Sequence, residues 1–244
     1  DRWGRKPMAL TGAALSLAMI LPIFQGFTAV VKPQLAAAGR TAPVVVTADA
    51  VECSLQFDPV GQAAFVSSCD IAKSTLTTLG ISYSNAAGSP GTRALVSIGD
   101  KTITSVDGSG LTAGELASAR AIFRSNLMEV LQQAGYPPSV EPSAVNVVSL
   151  GALMFLLVVL STLVYSRTPI MALELFPTRI RYSALSLPYH IGSGWFGGFL
   201  PAIAFAMVAA NGSIYFGLWY PLAIIGISVM VLALLIPETR HNEL

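Results

Sequence analysis

Four long apolar runs and one polar interval divide the chain. Residues 8–31 contain no charged side chain. As a helix rising about 1.5 Å per residue, they reach roughly 36 Å, enough to cross a ~30 Å hydrocarbon core with tilt. Pro22 falls inside this run, where its missing N–H predicts a kink. A second run starts at Val145 and stays uncharged to Ser166, then meets Arg167-Thr168-Pro169 and a further apolar piece, residues 170–173. Two readings stay open here. The helix ends at Ser166 with Arg167 as an ordinary flank, or it continues through Pro169 to Leu175 and carries Arg167 roughly 10 Å below the surface. The third and fourth runs, residues 183–210 and 214–236, are joined by the tight turn Asn211-Gly212-Ser213.

The polar interval, residues 32–142, has a different pattern. No apolar stretch in it is long enough to span a membrane, and acidic residues outnumber basic ones by nine to seven. Residues 44–47 and 51–57 read as strands, the second because Cys53, Leu55 and Phe57 alternate with Ser54 and Gln56. Residues 79–83 and 92–98 are further strand candidates. Residues 103–106 are placed to pair with 92–98 across a Gly99-Asp100-Lys101 turn. Residues 111–134 read as a helix. Thr112 can cap it, Glu115 completes a capping box, and Gly135 and Pro137 stop it. Its apolar stripe is Leu116, Ala119, Ile122, Phe123, Leu127, Val130 and Leu131. The interval is therefore expected to form a small α+β domain of about 100 residues with a modest core.

Composition sharpens the membrane reading. Charged residues make up 11% of the chain and hydrophobic ones 53%, against about 25% charged in soluble proteins. A net charge of +1 gives no electrostatic reason to expect nucleic acid. Arg2, Arg5, Lys6, Arg167, Arg179, Arg181 and Arg240 all flank the spans on one side, and the 211–213 turn has no basic residue. By the positive-inside rule that side is cytoplasmic, which places residues 32–142 outside. The two cysteines, Cys53 and Cys69, then lie in an oxidising compartment and are expected to form a disulfide. In the chain-entropy model such a bond contributes roughly 3 kcal/mol. The alternative is two buried free thiols.

Three charged motifs sit at the ends of the spans. Residues 1–7 read DRWGRKP, residues 174–182 read ELFPTRIRY ahead of SLPYHIGSGWFGGFLP at 186–201, and residues 237–240 read PETR. Together these resemble the metabolite:proton symporters of the major facilitator superfamily. The resemblance covers both ends and the third quarter of the chain. DRWGRKP is similar to the family's loop between helices 8 and 9, ELFPTRIRY to the loop between helices 10 and 11, and PETR to the motif closing helix 12. One departure stands out: the family's Tyr-Gly-Pro before ELFP is here Tyr165-Ser166-Arg167. The resemblance implies helices 9 to 12 of a longer carrier, lacking its N-terminal half, with the α+β domain inserted outside between helices 9 and 10. It implies an all-α membrane bundle in a bacterial cell membrane. It also implies alternating access, with a small organic solute such as a carboxylate, betaine or amino acid moved together with protons.

The candidate functional residues follow. Asp1, Arg2, Gly4, Arg5 and Lys6 form a basic loop in which Gly4 permits a sharp bend. Its cations can contact lipid headgroups, cap helix ends or, as the resemblance implies, lock one conformation. Glu174, Arg179 and Arg181 bracket Pro177 and are expected to pair at the membrane edge, as a gate or as a static loop staple. Gly194 and Gly198 form a GxxxG pair suited to close helix packing. His190 is an imidazole inside a span, and with Tyr189, Trp195 and Arg167 it is a candidate for the solute or proton path. A neutral His190 held by a carbonyl freed at Pro188 is the alternative. No catalytic constellation, cofactor motif or metal-ligand spacing appears. A rival reading makes the helices anchors for an extracytoplasmic binding or sensor domain.

Overall fold

A computed structural model describes residues 4–58, 63–137, 145–166 and 168–238. The chain divides into two compact units. The first comprises Asp1–Phe27, Asn146–Leu200 and Leu218–Leu244, and the second Thr28–Val145 and Pro201–Gly217. Among the described residues, four helical stretches are long and apolar enough to cross a membrane: Arg5–Val31, Val147–Glu174, Arg181–Asn211 and Phe216–Leu234.

In the first unit, helix α1 (Arg5–Val31) buries Ala9, Gly12, Ala13 and Ser16 along one stripe. These side chains are small, so another backbone can come close. A Cβ added at Gly12 would lie 3.0 Å from Leu163 Cβ, and one at Gly26 would lie 3.2 Å from Leu153 Cδ1. Both leucines belong to α5 (Val147–Tyr165), which Asn146 caps by accepting a 3.0 Å bond from the Ser149 amide. The short helix α6 (Thr168–Glu174) follows. Helical structure thus resumes and reaches the ELFP motif, as in the longer of the two sequence readings, while Arg167 itself lies outside the described residues.

The third run was expected to be one continuous helix. It forms α7 (Arg181–Ile191), a π-helical segment (Gly192–Gly197) and α8 (Leu200–Asn211). Three glycines in six positions offer no Cβ to resist the wider coil, and Pro188 upstream has no N–H to anchor the preceding turn. The fourth run opens with a 3-10 turn (Phe216–Leu218) before α9 (Trp219–Leu234). Large apolar side chains point outward from the spans, among them Phe155, Leu187, Phe196, Met230 and Leu234. Such a surface suits lipid and is costly in water.

The second unit is built on a four-stranded sheet ordered β2-β1-β3-β4. Strand β1 (Val44–Ala48) alternates buried Val44, Val46 and Ala48 with half-buried residues, as a strand with one covered face does. It pairs in parallel with β2 (Ser84–Ala87) and antiparallel with β3 (Leu95–Ile98), which turns back into β4 (Lys101–Thr104). A parallel pair needs a crossover, and α3 (Ser68–Leu79) provides it. Ser67 caps α3 by accepting from the Asp70 amide, and Gly80 ends it in the left-handed conformation. Helix α4 (Ala113–Gln133) has the expected Thr112–Glu115 capping box. Val46, Ile71, Leu76, Val96, Ile98, Phe123 and Leu127 fill the core.

Several sequence expectations are corrected. Residues 51–57 are not a strand. Their alternation is inverted: Gln56 is buried while Leu55 is 73% exposed. The segment is held by side-chain bonds, with Asp70 Oδ1 accepting from the Ser54 amide (2.9 Å), Oδ2 accepting from the Ser54 hydroxyl (2.7 Å), and Gln56 Nε2 donating to the Asp70 carbonyl (2.8 Å). Cys53 and Cys69 form the expected disulfide beside these bonds, with Cα atoms 5.2 Å apart. Residues 79–83 are the end of α3 and its exit, since Gly80 closes the helix before β2 begins. Strand β3 is shorter than expected and β4 begins two residues earlier, so the two meet through a two-residue Gly99-Asp100 turn, with Gly99 at φ 56°. Ile122 lies outside the α4 stripe and is exposed. Helices α2 (Pro33–Thr41) and α3 were not anticipated.

The same unit includes the turn after α8, and hydrogen bonds join the two. The Tyr83 amide donates to the Gly212 carbonyl (2.9 Å), and the Tyr83 hydroxyl to the Ala209 carbonyl (2.5 Å). Asn85 Nδ2 donates to the Ala210 and Asn211 carbonyls (3.1 and 3.2 Å), and the Ile214 amide to the Ser82 hydroxyl (3.3 Å). The carbonyls at the end of α8 lack intrahelical partners, so this edge of the domain acts as their cap. Burial raises the Tyr83 phenol pKa far above its usual value, which keeps the hydroxyl a donor.

Candidate functional site

All three charged motifs contribute to one cluster in the first unit. Gly4 has φ 79°, a conformation that favours glycine, and a Cβ there would lie 2.8 Å from Glu238 Oε2. The bend lets the Glu238 carboxylate cap α1 from the far end of the chain. Its Oε1 accepts from the Arg5 amide (3.0 Å) and its Oε2 from the Lys6 amide (3.2 Å). These are among the first amides of α1, which have no acceptor within the helix, and a carboxylate there also complements the helix dipole. Lys6 completes a reciprocal contact: its Nζ donates 2.9 Å to the Ala233 carbonyl in the last turn of α9.

Arg5 reaches the second motif. Its guanidinium forms an ion pair with Glu174, whose carboxylate is fully buried, while the Arg5 side chain is only 15% exposed. Glu174 ends α6, where a negative charge opposes the local helix dipole, so the arginine offsets two costs at once, burial and dipole. Removing either partner would leave a buried charge uncompensated.

The loop pairing expected among Glu174, Arg179 and Arg181 takes another form. Glu174 turns to Arg5, not to its neighbours in sequence. Arg181 Nε instead donates to the Phe176 carbonyl at 3.3 Å, closing the loop on itself. Arg179 is exposed. Asp1, Arg2 and Arg167 lie outside the described residues. Sequence reasoning did not single out Glu238, although it sits in the PETR motif as the first acid after Glu174.

The third span arranges its candidates differently. His190 is exposed, and its Nδ1 lies 2.8 Å from the Ser186 carbonyl. A carbonyl only accepts, so Nδ1 carries the proton in this bond. The partner is Ser186, one turn back, not the Ala184 carbonyl that Pro188 leaves without its usual donor. Tyr189 packs edge-on to the imidazole with centroids 6.0 Å apart. Trp195 is 68% exposed and meets Phe199 edge-on, while Tyr220 of α9 donates to the Phe196 carbonyl of the π segment (3.3 Å).

Gly194 has open space where a Cβ would point, and the nearest atom to a Cβ at Gly198 belongs to Gly194 itself. Close helix contacts lie at Gly12 and Gly26 on α1 and at Gly217, where a Cβ would lie 2.7 Å from the Ala204 carbonyl oxygen of α8. The signal for the Gly12 contact was the small-residue spacing of Ala9, Gly12, Ala13 and Ser16.

A cavity of about 260 Å³ lies among α1, α5 and α9 in this unit. It is lined mainly by apolar side chains, with the hydroxyls of Ser16, Ser161 and Ser228 each donating to a carbonyl one turn back in its own helix. His190 is not part of it. Among the described residues, no group of three His, Cys, Asp or Glu side chains is placed to hold a metal ion.

Comparisons with models of known protein families, with curated proteins and with solved structures found no match to this chain.

Proposed function

We propose that this chain is the C-terminal part of a secondary active transporter. It carries a small organic solute across a cell membrane by alternating access, coupled to protons. The observation that carries this reading is the cluster of Gly4, Arg5, Lys6, Glu174 and Glu238. Three motifs that resemble one transporter family, at opposite ends of the chain and in its third quarter, converge on a single ion-paired junction. In this reading the junction lies at the cytoplasmic end of the spans, and the α+β domain is extracytoplasmic. The buried Arg5–Glu174 pair has the properties of a latch. It is strong while dry, and it is weakened when water reaches it.

The test is uptake by the full-length protein in proteoliposomes, with an inward-directed proton gradient and a panel of radiolabelled carboxylates, betaines and amino acids. Accumulation of one class, abolished by a protonophore, supports the reading. Binding of a solute without translocation would favour the rival, a membrane-anchored binding or sensor protein. That rival has its own observation in the self-contained core and disulfide of the α+β domain.

A further inference from the structure

We infer that the α+β domain holds a binding site for a small oxyanion, a carboxylate or a phosphate, between α3 and α4. A cavity of about 240 Å³ opens there, lined by Ser74, Thr75 and Thr78 from one helix and by Arg120, Ala121 and Arg124 from the other. The inference stands apart from the transport reading, since it concerns only this domain.

Charge is the first argument. Arg120 and Arg124 are one turn apart on the same face of α4, and like charges at that spacing repel. No acidic residue lies three or four positions from either one. Among the described residues neither arginine takes part in an ion pair. The nearby carboxylates of α3 and its neighbouring loop are engaged elsewhere. Asp70 accepts from Ser54, and Glu52 accepts from the Ser68 hydroxyl. Two adjacent guanidiniums facing a cavity without a counter-charge suit an oxyanion, because each presents a planar fork of donors that matches carboxylate or phosphate oxygens.

The opposite wall supplies adjustable donors. The hydroxyls of Ser74 and Thr75 both donate to the Ile71 carbonyl, at 3.2 and 2.6 Å, and Thr78 donates to the Ser74 carbonyl at 2.7 Å. Because Ile71 is bonded twice, either hydroxyl can rotate toward an anion without leaving that carbonyl unpaired. A second cavity of about 160 Å³, lined by Leu79, Ile81, Met128 and Tyr136 together with the polar Lys32 and Gln132, shares Thr78 with the first. Its mixed lining offers room for a short organic body attached to the anionic group, so a small organic acid fits both the charge and the shape.

The experiment uses the full chain in nanodiscs of zwitterionic lipid at fixed ionic strength. Inorganic phosphate and succinate are titrated, with chloride as the control, and binding is read by calorimetry and by the shift in thermal midpoint. Saturable binding of phosphate or succinate is expected, at least tenfold weaker in the Arg120→Gln/Arg124→Gln double variant. The Arg120→Lys/Arg124→Lys variant, which keeps charge but loses the fork, should fall between. Arg40→Gln, a cation on another helix of the same domain, should bind as the unaltered protein does. Circular dichroism checks that each variant is folded. Absence of saturable binding, or equal binding by the double glutamine variant, overturns the inference. Binding that appears only in nanodiscs of anionic lipid would assign the arginines to a lipid headgroup and overturn the free-solute site.

Discussion

Replacing Gly212 with alanine tests how the α+β domain is fastened to the turn after α8. Gly212 has φ 93°, and an added Cβ would overlap the Tyr83 carbonyl oxygen and lie 2.9 Å from Tyr83 Cδ2. Two costs follow. Holding a non-glycine residue in this conformation costs roughly 1–3 kcal/mol. Displacing Tyr83 breaks its amide bond to Gly212 and disturbs the hydroxyl bond to Ala209, and leaving such groups unpaired costs about 1–3 kcal/mol more. The expected loss is therefore about 2–6 kcal/mol. Gly91 provides the control. It has φ 72° but open space around it, so Gly91→Ala carries the backbone cost alone, about 1–2 kcal/mol. The assays are thermal unfolding of the purified full chain and hydrogen exchange of the peptide covering residues 81–87. Gly212→Ala should melt several degrees below Gly91→Ala, and the Tyr83 amide should lose protection only in the former. Equal melting of the two variants, with Tyr83 still protected, would refute the interlock.

Two further outcomes are expected. Non-reducing mass mapping should recover Cys53 and Cys69 as one linked peptide pair, and the double serine variant should lose about 3 kcal/mol, as expected for a bond spanning 16 residues; free thiols in protein taken from its membrane would contradict this. Stability of the α+β domain should also fall in acid. Bonds from Thr112 hold the Glu115 carboxyl below its usual 4.5, and bonds from Ser109 hold the Asp107 carboxyl below its usual 3.8. Their contribution is complete above those ordinary values and disappears as pH falls through the lowered folded ones. A titration followed by circular dichroism should therefore show α4 weakening below about pH 4.5 in the native chain but less so in Glu115→Gln, where the cap no longer titrates.

The parts of the fold legible in the sequence were those with an uninterrupted signal. Four apolar runs announced four helices, and the Thr112–Glu115 box with Gly135 bounded α4 to within two residues. Helix α3 was missed because its apolar face, Cys69, Ile71, Ala72, Leu76 and Leu79, is set among Ser and Thr residues that read as loop. Its caps, Ser67 and Gly80, were in plain view. The 51–57 segment misled for a tertiary reason. Alternation predicts a strand only when a ladder partner exists, and here Asp70 and the disulfide hold the backbone in place of a neighbouring strand. At the candidate site, residue type placed Gly4, Arg5, Lys6 and Glu174 in charged motifs, and the structure brings them into one cluster. Partner choice could not be read, because Glu174 lies closer in sequence to Arg179 and Arg181 than to the arginine it meets. The same limit applied to helix packing. GxxxG spacing drew attention to Gly194 and Gly198, while Gly12, Gly26 and Gly217, none of them in a GxxxG pair, are the span glycines set against neighbouring helices.

The most direct test of the transport reading is charge exchange across the Arg5–Glu174 pair in the full-length protein. Breaking a buried pair by removing one partner costs about 3–5 kcal/mol, which is large enough to disturb any conformational equilibrium that depends on it. Arg5→Glu and Glu174→Arg are made singly and together, expression and trypsin resistance are matched, and proton-driven uptake is measured in proteoliposomes. The account predicts that each single reversal lowers uptake at least tenfold and that the double exchange restores a substantial part of it. Single reversals that reach the membrane and transport at the unaltered rate would contradict it.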